Sequence, residues 1–104
     1  DLRGSDLRNT DFMRCNFTNA KLGALSLEKS NGEKTLKTTD FSGADLRYAI
    51  LHGADLQHCN FAGADLSYAL LTSADLRGAA LDEAITQGAQ MDDARLDPDP
   101  EDKI

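Results

Sequence analysis

Two cysteines, two histidines and a set of evenly spaced aspartates are the side chains here with the means to bind a metal or move a proton. Cys15 and Cys59 lie 44 residues apart and share no CxxC or Cys/His spacing, so neither a zinc site nor a redox pair is written in their placement. Both fall on small-residue positions of the repeat set out below, where a thiol serves as a compact apolar filler. His52 and His58 have no second histidine or cysteine at ligand spacing and read as solvated surface residues. Asp45 and Asp65, and likewise Asp55 and Asp75, stand twenty residues apart, a spacing that could gather carboxylates for calcium or for acid–base work. No glycine-rich calcium motif accompanies either pair, however. Ser5, Ser42, Ser67 and Ser73 lack a Gly-x-Ser-x-Gly setting, so no nucleophile elbow is written here. The expectation is a protein that is not an enzyme and that needs no cofactor and no metal.

The composition narrows the partners. A length of 104 residues suits one folding unit, and a net charge of −7 opposes binding to phosphate backbones or anionic membranes, which need Lys and Arg to replace counterions. A protein partner is expected, with no direct nucleic acid and no membrane. Trp is absent and aromatics make up 6%, so Ala and Leu must fill most of the interior. Two cysteines are too few for a secreted disulfide scaffold, and no apolar run approaches the roughly 20 residues that span a bilayer. The first residue is Asp1, with no Met and no signal-like segment, which reads as a processed chain or an excised piece, expected in the cytoplasm.

The element that positions these residues is a repeat of five. Large apolar residues recur at Leu2, Leu7, Phe12, Phe17, Leu22 and Leu27, and again at Leu36, Phe41, Leu46, Leu51, Leu56, Phe61, Leu66, Leu71, Leu76 and Leu81; after a lapse at Thr86 they resume at Met91 and Leu96. Two residues before most centres stands a small side chain, such as Cys15, Thr39, Ala44, Cys59 or Ala69, and Leu25 is the bulky exception. Asp or Asn often precedes the centre, as at Asp6, Asn16, Asp45 and Asp65, and Gly often follows it by two, as at Gly43, Gly63 and Gly88. A period of five fits neither a helix at 3.6 nor a strand at 2, so the chain must turn every five residues.

The resulting pattern, Ala-Asp-Leu-x-x, resembles the pentapeptide-repeat family over nearly the whole chain. The resemblance implies an all-β fold, a right-handed quadrilateral parallel β-helix with four pentads per coil. A second period supports it: residues 41–60 match residues 61–80 at eleven of twenty positions. At about 4.8 Å per coil, four to five coils would make a rod of roughly 20 to 25 Å. The central Leu or Phe would fill the axis and the small residue would point inward beside it. Asp or Asn would accept hydrogen bonds from corner amides, and Gly would supply unusual corner dihedrals.

The pattern slips by one residue between Leu27 and Leu36, which predicts an outward loop near residues 28–35 with Asn31-Gly32 as its turn. Glu28, Lys29, Asn31, Gly32, Glu33 and Lys34 are candidate recognition residues on it, since loops on rigid scaffolds often carry binding. Residues 1–96 are expected to form the β-helix and 97–104 an acidic tail, where Pro98 and Pro100 end the solenoid.

An apolar residue at an outward position is informative. Ile50 and Leu70 stand where Asp is usual, with Tyr48 and Tyr68 at the preceding corner, so all four should form one patch across two coils. They are the candidate protein interface of an interaction or scaffolding module. The resemblance supplies an alternative, since some acidic members of the family mimic duplex DNA, bind DNA gyrase and protect it from fluoroquinolones. A third reading is a structural spacer or oligomerisation element, with an end-to-end homodimer as one form.

Overall fold

The computed structural model describes residues 1–96. The acidic tail at 97–104 lies outside the described residues.

Most pentads fold as a turn. The residue three after the centre donates its N–H to the carbonyl of the centre, as from Ala44 to Phe41 at 3.0 Å and from Ala64 to Phe61 at 2.9 Å. In these turns the residue two after the centre has positive φ, from Asn9 at 55° to Gly78 at 75°, while the residue before it does not. That combination defines a type II turn, which asks for Gly or Asn at its third position. The aspartates complete the corner. Asp45 Oδ1 accepts from the Arg47 amide at 3.2 Å, Asp65 Oδ1 from that of Ser67 at 3.0 Å and Asn60 Oδ1 from that of Ala62 at 3.0 Å. Without these bonds the outward amide of each turn would depend on water alone.

Successive coils pair in parallel, with the bridges Asp40↔Asn60, Asp45↔Asp65, Ile50↔Leu70 and Asp55↔Asp75 set twenty residues apart. Between coils the centre donates down the rod and the residue before it donates up, as in Leu46 N to Asp65 O at 2.8 Å and Asp65 N to Ala44 O at 3.0 Å. Four faces result. The first runs through Leu7, Phe41, Phe61 and Leu81, the second through Phe12, Leu46, Leu66 and Thr86, the third through Phe17, Leu51, Leu71 and Met91, and the fourth through Leu22, Leu56, Leu76 and Leu96. This is a β-helix whose core is the stacked centres together with the small inward residues. Phe41, Leu46, Leu51, Leu56, Phe61, Leu66, Leu71 and the alanines Ala49, Ala64, Ala69 and Ala74 are all fully buried. No helix occurs among the described residues.

One expectation needs correction. Leu27 and Leu36 are not repeat centres: they are 43% and 60% exposed and belong to a β-hairpin. Its strands are β1 (Leu25–Glu28) and β2 (Lys34–Lys37), antiparallel with Leu27 opposite Thr35 and Ser26 opposite Leu36. The projection is thus longer than a loop at 28–35. The interval from Leu22 to Phe41 is nineteen residues where five would continue the coil, so fourteen extra residues leave and rejoin at one corner. Leu27 and Leu36, the only large apolar residues from Ser26 to Thr38, each stand five residues from a true centre, Leu22 and Phe41, and that coincidence disguised the hairpin. Its tip is a Gly-containing turn, with Lys29 N to Glu33 O at 2.7 Å, Gly32 N to Lys29 O at 2.9 Å and Gly32 at φ 85°. Three residues joined by such an αL glycine are a common short hairpin connection. Asn31 Oδ1 also accepts from Glu33 N at 3.0 Å, and Lys29 pairs with Glu33 at 3.9 Å. Leu25, bulky where a small residue was expected, lies in β1 and so never enters the inward slot.

Thr86 interrupts the sequence pattern without interrupting the ladder. Ile85, Gln90 and Arg95 bridge to Asp65, Leu70 and Asp75, because the ladder needs backbone groups and tolerates a polar centre on the last described coil. Thr39, by contrast, is a buried polar residue that the chain employs. Its Oγ1 accepts from Gly4 N at 2.9 Å and lies 3.2 Å from the Gly23 carbonyl, tying the hairpin's root to the first coil.

Candidate interaction surface

The corner between the second and third faces carries the four predicted surface residues. Tyr48 and Tyr68, each the third residue of its turn at φ 59° and 60°, stack with ring centroids 5.3 Å apart and 14° between planes. They remain 43% and 45% exposed. Positive φ at a bulky residue is costly, about 1–2 kcal/mol relative to the ordinary helical or extended regions. Ring stacking offsets part of that cost, worth about 0.5–1.5 kcal/mol per pair. Ile50 and Leu70 bridge each other on the adjoining third face and are half-buried.

The sequence reading missed what closes this ladder at each end. A side chain at the third turn position leans over the same position one coil below. Arg14 therefore lies over Tyr48, its guanidinium carbon 4.7 Å from the ring centroid. At the other end Tyr68 lies over Gly88, where an added Cβ would come within 2.5 Å of the ring carbons Cδ1 and Cε1. Stacking the pentads in fours would have placed Arg14, Tyr48, Tyr68 and Gly88 in one column once the fourteen-residue insertion was known. Gly88→Ala is accordingly expected to tilt Tyr68 out of the stack. Gly63→Ala meets nothing within 4 Å at φ 68° and should cost only the shared backbone strain. Near-ultraviolet circular dichroism of the tyrosines separates the two, and equal spectra would show that the ring does not rest on residue 88.

Elsewhere part of the surface charge is locally paired. In the Asp-Leu-Arg pentads the arginine reaches back to its own aspartate: Arg8 Nη2 lies 2.7 Å from Asp6 Oδ2, Arg47 Nη2 2.8 Å from Asp45 Oδ2 and Arg77 Nη2 2.6 Å from Asp75 Oδ2. The side-chain hydrogen bonds from Arg8 hold the Asp6 carboxyl at about 2, and those from Arg47 and Arg77 lower Asp45 and Asp75.

The remaining candidates stay apart. Cys15 is on the third face and Cys59 on the first, both thiols free. Burial, with a smaller contribution from Asp55, pushes Cys59 up to about 12, and its Sγ lies 3.0 Å from the Leu22 carbonyl. His52 Nδ1 meets Thr72 Oγ1 at 2.8 Å on the surface, and the His58 ring packs over Gly78. Among the described residues there is no group of three or more metal-ligating side chains, no cavity, and no helix long and apolar enough to cross a membrane.

The sequence matches the description Pentapeptide repeats in eight copies, over residues 1–31, 35–63 and 59–97. The chain belongs to the pentapeptide-repeat family. Among solved structures it is similar to alr5209, a pentapeptide repeat protein from Nostoc Pcc 7120, at 24% identity over 90% of this chain and 82% of that one, with a TM-score of 0.47. HetL, a pentapeptide repeat protein involved in heterocyst differentiation regulation from Nostoc sp. strain PCC 7120, is 28% identical over 90% of this chain and 50% of that one, TM-score 0.35. QnrB1, a plasmid-mediated fluoroquinolone resistance protein, is 19% identical over 89% of this chain and 63% of that one, TM-score 0.32. Among curated proteins the sequence finds no match.

Proposed function

We propose that the chain is a non-enzymatic protein-binding module that presents the Tyr48, Ile50, Tyr68 and Leu70 corner to a protein partner. The carrying observation is the pair of half-exposed tyrosines stacked on a rigid corner beside the Ile50–Leu70 bridge. Outward positions of the repeat are otherwise mostly polar, and preorganised aromatic side chains are what binding hot spots favour.

The hairpin residues Glu28, Lys29, Asn31, Gly32, Glu33 and Lys34 project from the corner between the fourth and first faces, diagonal to the tyrosine corner. A flat partner cannot touch both corners at once. Any recognition by the hairpin is therefore a separate contact. The alternative reading of the acidic charge as an imitation of duplex DNA has less support, because Asp1, Asp6, Asp45 and Asp75 each hold their own arginine. Such pairs interrupt, on the faces that carry them, the continuous negative field that imitation needs.

The test is a double variant, Tyr68→Asp with Leu70→Asp, in a capture experiment. Both sites lie outward of the core, so the variant should keep its β-sheet circular dichroism and lose the partner that the natural chain retains. The expected loss is about 2 kcal/mol or more, roughly 30-fold in affinity. Undiminished capture by the folded variant rejects the corner, and recovery of DNA gyrase by both proteins favours the DNA-mimic reading.

A further inference from the structure

Resting on the corner as the binding surface, we propose that it recognises an extended peptide segment of the partner in which an Asp or Glu stands two positions from an aliphatic residue, the carboxylate taken by Arg14. Arg14 differs from its neighbours in where it stands. Arg3, Arg8, Arg47 and Arg77 sit one residue after their centres and turn back onto an aspartate. Arg14 sits two after its centre, so its side chain leans over Tyr48 and makes no ion pair among the described residues. The aspartate of its own pentad, Asp11, accepts instead from the Met13 amide at 2.9 Å. A guanidinium held flat on an aromatic ring, with its donors unused, is preorganised to receive a carboxylate through two parallel hydrogen bonds.

The rest of the column decides what else the ligand presents. The faces of Tyr48 are covered by Arg14 and Tyr68, and Tyr68 rests on Gly88. Few ring faces remain open for a sugar or a base to stack on, which turns the patch towards ligands read by ring edges and aliphatic contact. Neither phenol is hydrogen-bonded within the described residues, so both hydroxyls can serve a peptide backbone. Ile50 and Leu70 stand one and two coils below Arg14, about 5 and 10 Å at the spacing of paired strands. Alternate side chains of an extended peptide point the same way and lie about 6.6 Å apart, which carries a residue two positions from the acid onto this aliphatic pair.

A displayed library of random twelve-residue peptides, selected on the immobilised chain, supplies defined probes. Selected peptides are expected to share an acid two positions from Leu, Ile or Val, in one consistent order. Changing that acid to its amide should weaken binding at least tenfold, Arg14→Gln should do the same, and combining the two should add little. Arg14 is exposed, and an unchanged thermal unfolding curve confirms that the variant is folded. If Tyr68→Asp with Leu70→Asp abolishes binding while Arg14→Gln leaves it intact, the corner stands and the carboxylate assignment falls. If neither variant matters, both fall. A library that yields no binder, or a chain whose mass in solution rises with concentration through this corner, overturns the assignment to an acidic peptide.

Discussion

Phe61→Ala is expected to remove about 3–5 kcal/mol of stability, a large part of the roughly 5–15 kcal/mol that holds a domain of this size. Phe61 is fully buried, its ring stacks on that of Phe41 at 5.2 Å with 9° between planes, and it lies on the axis between Phe41 and Leu81. Its loss leaves a cavity that the surroundings are poorly placed to close. Phe61 N is bonded to Ala80 O at 2.8 Å, and Asn60 and Ala62 on either side hold bonds of their own, so the coil cannot sink inward without breaking its ladder. Phe17→Ala, in a half-buried residue of the upper coil, is expected to cost less than half as much. Urea unfolding followed by circular dichroism gives both midpoints. Equal shifts would mean that the axis is no better packed in the middle than at its end.

The mid-rod position adds to the effect. A solenoid is stabilised mainly between neighbouring coils, so a defect in the coil 61–80 weakens the contacts above and below it together. The m-value is informative here. If Phe61→Ala lowers the slope as well as the midpoint, the two ends of the rod have begun to unfold separately.

How far the sequence could be read depended on whether a signal was local to the pentad. The inward Ala, the corner Asp and the positive-φ third turn position are each set within five residues, and each was legible because its physical cause is local: volume, an unpaired amide, a backbone angle. Column contacts were harder. That Tyr48 and Tyr68 stack follows from their separation of twenty, but Arg14 is 34 residues from Tyr48, and only the hairpin's true length puts it in the same column. Leu27 and Leu36 hid that length by keeping the appearance of repeat centres. The glycines show the same limit. Gly43, Gly53, Gly78 and Gly88 lie under Asn9, Asn19, His58 and Tyr68, whereas nothing overlies Gly63, so the choice of glycine at a corner is often dictated by the residue one coil above. No window of five residues contains that information.

The steric reading of the small inward slot makes the second large prediction. Ala69 is fully buried, with its carbonyl accepting from Gln90 N at 2.9 Å and the Ala49 carbonyl above accepting from Leu70 N at 2.9 Å. Both neighbouring coils thus pin the backbone at this slot, and a larger side chain has no direction in which to expand. Equivalent slots elsewhere accept Thr39 and Cys59, both fully buried, so the limit lies above two added heavy atoms. A series at position 69 should accordingly be discontinuous. Ala69→Cys is expected to stay within about 1 kcal/mol, and Ala69→Leu to cost about 1–3 kcal/mol or more through overpacking. Ala84→Leu, in the half-buried slot of the last described coil, should be milder because that coil can spread outward. Urea midpoints for the three variants test this directly. A Leu at 69 tolerated as well as one at 84 would show that the slot is roomier than its burial suggests, and that Ala recurs there for some reason other than volume.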